Sequence, residues 1–349
     1  MASTQSAPVP TGSPVADAPV PDEPAKRRSA FRVDRYATLL FFALFFVVVG
    51  ISKGSAFLSW DNFSLVLADN ANVAILAAAA TITLVAGQFD LSVGAVAGLS
   101  SVLASHFVIE AGTPPLVTVL LILALGVAAG LLNAFLVAVA NVNAFVATLG
   151  TGGLFSGVAL WVSGGESIFG EMPKSFTDAG TTSLAGVPLP IVFVIAIGLG
   201  LWTLTRRTVV GRFWYAVGAN PEASGLAGVR VRRVTTYAFI ATSVLAALAG
   251  LLASARFGSA DPAAGPDLLL PAFAGAFLGS AILSDGRFTV VGSLLAASLI
   301  VLATNGLDVM GVNFAVKPMF NGAVLVGAVA LTEYLRRRSG RRSLIPKAT

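Results

Sequence analysis

The sequence predicts an all-α, polytopic membrane protein of about ten transmembrane helices, with both termini on the cytoplasmic face. Composition, the length of the apolar runs and the clustering of basic residues carry that reading. Of 349 residues, 56% are hydrophobic and 11% charged, against about 25% charged in a soluble domain; mean hydropathy is +0.86. Each crossing of the hydrocarbon takes about 20 apolar residues, so the chain accommodates ten spans and short loops. The runs are long, continuous and rich in Ala, Leu, Val and Gly, unlike the short alternating strands of a β-barrel.

Taken in order, residues 1–30 are rich in Ala, Pro, Ser and Thr and read as a disordered cytoplasmic tail. Lys26, Arg27, Arg28, Arg32 and Arg35 then precede the apolar run 37–51, an uncleaved first span because no small-residue cleavage site follows. Further spans fall at 65–86, 92–109, 115–140, 144–163, 187–205, 234–255, 268–284, 288–304 and 316–334. The membrane domain thus runs over 31–335, and a basic cytoplasmic tail over 336–349. Spans five and seven carry small residues at helical spacing, Gly150, Gly153 and Gly157, then Ala246, Gly250 and Ser254, a pattern that lets helices approach closely in lipid.

Charge sets the orientation. Arg206, Arg207, Arg212, Arg230, Arg232 and Arg233 lie in the loop 206–233, and Arg336, Arg337, Arg338, Arg341, Arg342 and Lys347 in the tail. An even number of spans puts both groups, the N-terminal basic flank and Arg287 on one face. The other face then receives Asp61, Asp69, Glu110, Glu166, Glu171, Asp178, Asp261, Asp267 and Asp308. A net charge of +5 distributed in this way does not indicate nucleic acid. The stretch from Gly130 to Gly152 is echoed from Gly292 to Gly322, and the two copies cross in opposite directions, as inverted repeats do.

Few residues carry chemistry. The chain has no cysteine and one histidine, His106, which excludes disulfides, iron–sulfur clusters and thiolate metal sites; His106 reads as a packing residue. Between spans two and three stands Gly87-Gln88-Phe89-Asp90-Leu91-Ser92-Val93-Gly94. Asp90 can accept the N–H of Ser92 or Val93 at the start of the next helix. Two readings stay open: a broken helix lining a pathway, with Asp90, Ser92 and Gly94 as its motif, or a cap in a cytoplasmic turn. Polar side chains in or beside spans include Asn70, Asn133, Asn141 and Asn321. Asn72, Asn143, Thr148 and Asn305 are the candidates to face a hydroxylated solute.

The loop 206–233 holds a clear helix start, with Asn220 as N-cap, Pro221 at the first position and Glu222 in the first turn. Gly228 ends it. The product is a short helix rimmed by arginines, whose Ala223, Leu226 and Ala227 form an apolar knob for a partner's groove; the competing reading is a surface helix held to anionic membrane lipid.

The segments 87–98, 143–165, 211–229 and 275–310 together resemble the permeases of the ribose/xylose/galactoside branch of ATP-binding-cassette importers, over about residues 37–333, a group related to branched-chain amino-acid permeases. One departure is the stretch 280–288, where such permeases have a glycine-richer turn. The resemblance implies a permease subunit for a small solute, a monosaccharide first. It makes Asn220 to Gly228 the coupling helix that docks on a separate ATPase subunit, which uses the ATP and Mg; this chain itself binds no cofactor and is no enzyme. It also implies an extracytoplasmic solute-binding protein and a second permease copy or related permease. The absence of a Gly-x-x-x-x-Gly-Lys-Ser/Thr phosphate loop fits a motor on another chain. Alternatives are nucleosides or branched-chain amino acids as solute, or an ion-coupled secondary transporter. The last wants an embedded ionisable relay, and apart from Asp90 intramembrane carboxylates are scarce.

Overall fold

A computed structural model describes residues 33–283 and 286–338; the tail 1–30 and the basic segment beyond 338 lie outside the described residues. Long apolar helices dominate. The first, α1 (Val33–Lys53), is followed by the bent pair α2 (Trp60–Asp69) and α3 (Ala71–Val85). Next come α4 (Val93–Ser105) and α5 (Pro115–Ala134), each prolonged by a π-helical turn, and α6 (Ala144–Ser163). The short α7 (Lys174–Thr181) precedes α8 (Leu189–Arg207), and α9 (Val209–Ala219) and α10 (Pro221–Leu226) lead to α11 (Val231–Phe257). The chain closes with α12 (Ala264–Asp267), α13 (Leu269–Leu283), α14 (Val290–Val309) and α15 (Val316–Arg338). Among the described residues, nine helices are long and apolar enough to span a membrane, or ten if α2 and α3, bent by 54°, form one span. That is the count expected from the apolar runs. Residues 336–338 form the last turn of α15.

Local chemistry sets the ends. Ser59 accepts the N–H of Asn62 to open α2, and Asn143 accepts the N–H of Phe145 and of Val146 to open α6, satisfying donors that lipid cannot. Gly164 at φ 65° and Gly258 at φ 63° close α6 and α11 in the left-handed conformation. Two two-stranded ribbons lie outside the spans: β1 (Ile168–Phe169) pairs antiparallel with β4 (Ser259–Ala260), and β2 (Ser183–Leu184) with β3 (Val187–Pro188).

The helix at the centre is α3, every residue of which is buried. It packs on α11 and on α13 and α14, while α11 also holds α4 and α5, and α13 also holds α15. Gly250 of α11 lies so close to the Ala97 carbonyl of α4 that a Cβ there would overlap it. Buried hydroxyls cross between helices: Ser105 to Ser254 at 2.8 Å, Thr81 to Ser293 at 2.6 Å and Thr242 to the Ala79 carbonyl at 3.0 Å. Each satisfies a group that would be costly to leave unpaired in hydrocarbon. The outer helices turn large apolar side chains outward, among them Leu44, Leu120, Leu154 and Trp161, as lipid contact requires. The Gly150, Gly153 and Gly157 stripe of α6 also faces outward, with nothing within 4 Å of a Cβ built on any of them.

Candidate functional site

Two ends of the bundle differ in character. At one, α9 is rooted in the fold. Thr208 caps it by accepting the Gly211 N–H at 3.3 Å, and buried Trp214 donates its indole N–H to the Val234 carbonyl at 3.1 Å. Tyr215 donates its hydroxyl to the Phe288 carbonyl at 2.8 Å, with the Arg287 guanidinium 5.8 Å from its ring centre. Burial pushes the Tyr215 pKa up, so the hydroxyl stays a neutral donor. At the end of α9, Gly218 meets the chain just after α3: a Cβ on Gly218 would collide with the Val85 carbonyl oxygen and lie 2.9 Å from the Gly87 nitrogen.

From that root α10 projects. Asn220 Oδ1 accepts the Ala223 N–H at 3.0 Å, Pro221 opens the helix, Glu222 lies in its first turn, and Gly228 turns the chain at φ 83°. Ser224 is the buried side of this helix. Pro221, Glu222, Ala223 and Ala227 are exposed, and Leu226 is 92% exposed. Arg206, Arg207, Arg212, Arg230, Arg232 and Arg233, on the flanking parts of the loop, are all exposed. An isolated exposed leucine needs no explanation; this one is carried on a helix capped by Asn220, in a loop region with six exposed arginines.

The segment from Gly87 to Ser92 is non-helical and enters the bundle. Gly87 turns at φ 77°, Phe89 stacks on Phe277 at 6.4 Å between centroids, and Asp90 is fully buried. Asp90 Oδ1 accepts both the backbone N–H of Ser92, at 3.0 Å, and its hydroxyl, at 2.6 Å. Ser92 Oγ in turn accepts from the Asn133 amide at 2.8 Å, and Asn133 Oδ1 accepts from Thr151 Oγ1 at 2.6 Å. Thr148 Oγ1 accepts the Leu91 N–H at 3.0 Å. One buried chain of hydrogen bonds therefore ties the break to α5 and α6. Asp90 Oδ2 has no partner among the described residues. Gly94 sits against α12, 2.5 Å from the Gly265 carbonyl oxygen to a Cβ built there.

The candidate polar residues fall in different places. Thr148 belongs to this network. Asn143 borders a mostly apolar cavity of about 660 Å³, which the break, α6, α13 and α15 enclose with Phe273, Phe277 and Glu333 among its walls. Asn72 is buried, its Oδ1 accepting the Val73 N–H at 2.9 Å. Asn305 is at the far end, accepting the Asn62 amide at 3.0 Å. There, too, Arg256 bridges Asp69 at 2.9 Å and the Gly180 carbonyl at 2.9 Å. Sequence reasoning passed over Thr151 and the pairing of Asn133. An Asn inside an apolar span is a signal that a partner exists, but it does not say which.

The family described as "Branched-chain amino acid transport system / permease component" matches residues 62–329. The D-allose transport system permease protein AlsC of Escherichia coli (strain K12) is 28% identical over 304 residues, 87% of this chain and 93% of that protein. The ribose import permease protein RbsC of Haemophilus influenzae is 30% identical over 299 residues, covering 84% and 92%. The autoinducer 2 import system permease protein LsrD of Klebsiella pneumoniae is 35% identical over 262 residues, covering 74% and 79%. No solved structure matches. With a helical membrane bundle that presents one rigid basic protrusion, and with the family spanning that bundle, the chain belongs to the branched-chain amino acid transport system permease component family and is a permease subunit of an ATP-binding-cassette importer.

Proposed function

We propose that this permease forms the inner-membrane path of an importer for a monosaccharide or a similar polyol, driven by a separate ATPase subunit. Both termini and the α9–α10 protrusion are cytoplasmic in this reading, which follows from the basic residues of 206–233 and the C-terminal segment. The observation that carries it is Leu226, 92% exposed at the tip of a helix capped by Asn220 and rooted by α9. Pro221, Glu222, Ala223 and Gly228 complete the docking helix for the ATPase, which supplies the ATP and Mg. The solute class rests on relatives whose names specify allose, ribose and autoinducer 2. An extracytoplasmic solute-binding protein delivers the solute to the opposite face. A second copy packs on the outward glycine stripe of α6, whose open backbone suits close helix approach.

Force applied to α10 passes through α9 to the Gly218–Gly87 contact, and from there through Asp90, Ser92 and Asn133 to α5 and α6. Import requires that solute bind the outward and inward states differently; shifting the Gly87–Gly94 break is the local change that does this. The test is uptake of labelled D-ribose and D-allose by cells holding the complete transporter, with wild-type or Leu226→Asp permease. The variant inserts normally and loses uptake. Uptake that survives ATP depletion and collapses with an ionophore would overturn the importer reading in favour of ion coupling.

A further inference from the structure

At the far end, where α2 and α3 break, a pocket of about 350 Å³ opens between that break, α12–α13, α14 and the start of α15. This is at the small end of ligand-pocket sizes, about 300–1,000 Å³, and suits one sugar ring rather than a chain of them. Polar side chains from four parts of the sequence converge here. Discontinuous helices are where membrane carriers commonly build solute sites, because the break frees main-chain and side-chain polar groups within the bundle.

The charges largely cancel in pairs. Asp69 is bridged to Arg256 at 2.9 Å and Asp308 to Lys317 at 2.7 Å. Asp267 makes no ion pair among the described residues and is exposed at the pocket's edge. No group of three or more His, Cys, Asp or Glu residues among those described is arranged to hold a metal ion. A free anion would meet carboxylates at the rim. The groups that remain are amides and a hydroxyl. Asn321 Oδ1 is buried and makes no hydrogen bond among the described residues. Asn305 uses its Oδ1 to accept from Asn62, which leaves its Nδ2 as a donor. Thr304 donates to the Val301 carbonyl at 2.8 Å, leaving its oxygen as an acceptor. The lining also includes the apolar Val66, Leu268 and Pro271. Planar amides and a carboxylate for hydroxyls, together with apolar surface for ring C–H groups, suit a neutral polyol.

We infer that this pocket, enclosed within a single chain, is a binding subsite for a neutral polyhydroxylated small molecule of one-ring size. Asn321, Asn305 and Asp267 bond its hydroxyls there. The inference rests on the importer reading for the role of the site, as the entry-side stop before translocation, and not for its existence.

The chain contains no cysteine, so Leu268→Cys puts a single thiol on the pocket wall. In the full-length permease in lipid nanodiscs, without ATPase or ATP, D-ribose or D-allose slows labelling of this thiol by a small charged thiosulfonate several-fold, and sodium aspartate does not. Adding Asn321→Leu or Asp267→Asn raises the half-protecting sugar concentration by about fivefold or more, the loss of one hydrogen bond. In the whole transporter the same two substitutions raise KM for uptake. If neither sugar slows labelling while ATP-driven uptake of that sugar persists, the pocket is not a solute site and the importer reading stands. If sugar protects the thiol but uptake proves independent of ATP, the pocket stands and the importer reading falls. Protection that Asn321→Leu and Asp267→Asn leave unchanged also overturns the subsite.

Discussion

Gly218→Ala is the sharpest test of how the protrusion is joined to the bundle. The added Cβ would overlap the Val85 carbonyl oxygen and lie 2.9 Å from the Gly87 nitrogen and 3.0 Å from the Ala86 carbonyl carbon. All three are backbone atoms, so no side chain can swing aside. Overpacking of this kind costs about 1–3 kcal/mol, and the strain is relieved only if α9 moves off the turn after α3. Spread over the docked and undocked positions of α9, that is a shift of roughly 5- to 150-fold. The matched control is Gly228→Ala. It carries a φ of 83° but nothing lies within 4 Å of its Cβ, so its cost is the left-handed conformation alone, about 1–2 kcal/mol, with no collision. The assay is uptake per inserted permease in the whole transporter, alongside thermal unfolding of the purified chain. Gly218→Ala lowers the unfolding temperature and loses most uptake while solute-independent ATP hydrolysis continues. Gly228→Ala keeps the α9 contact and more of the uptake. Normal uptake and stability in Gly218→Ala would refute the claim that α9 acts through this contact.

Three further outcomes follow from the same geometry. Asn133→Leu removes the bond to Ser92 Oγ and the bond from Thr151 Oγ1, while Ser92 keeps Asp90 and Thr151 keeps the Thr148 carbonyl; the loss is about 0.5–1.5 kcal/mol for each bond, read by thermal unfolding in detergent. Thr151→Val, which removes one hydroxyl and nearly keeps the shape, costs less than Asn133→Leu in the same measurement, and equal losses would mean the network is not shared. Gly153→Leu, on the outward stripe of α6, leaves the chain folded but lowers the fraction of permease recovered as a dimer on size-exclusion chromatography in mild detergent.

Most of the fold was legible because lipid imposes so strict a rule. A run of about 20 apolar residues has few other uses, and the runs expected at 115–140, 144–163 and 316–334 correspond to α5 with its π turn, α6 and α15. The helix from Asn220 was legible too, since Asn, Pro and Glu in that order have one local meaning. Its root α9 was not. Val209–Ala219 carries Gly211 and Gly218, which read as loop residues, whereas both are there to let backbone meet backbone. The bend at Asn70 was hidden because the run 65–86 was read as one span; no proline marks the 54° angle. The hydrogen-bond chain from Asp90 to Thr151 joins residues far apart in the sequence. Apolar periodicity reports which face is buried, never which polar residue waits on the neighbouring helix.

The element that joins the two ends is α3. Its 15 residues, at 1.5 Å each, make a rod about 22 Å long. One end touches Gly218 through Val85; the other begins at Asn70 and Val73, which line the far pocket. Both ends are breaks, a 54° bend before Ala71 and the non-helical turn at Gly87 after Val85. Between them Thr81 is bonded to Ser293 of α14, and the Ala79 carbonyl accepts from Thr242 of α11. A helix with a break at each end and bonds to two neighbours has the build of a unit that shifts together with those neighbours, because packed interiors shift between discrete arrangements rather than stretch. Under the proposed docking role of α10, the route from the protrusion to the polar pocket is short and runs through one wholly buried helix. Gly218 fits that proposal: there backbone meets backbone, with no flexible side chain between to absorb a displacement.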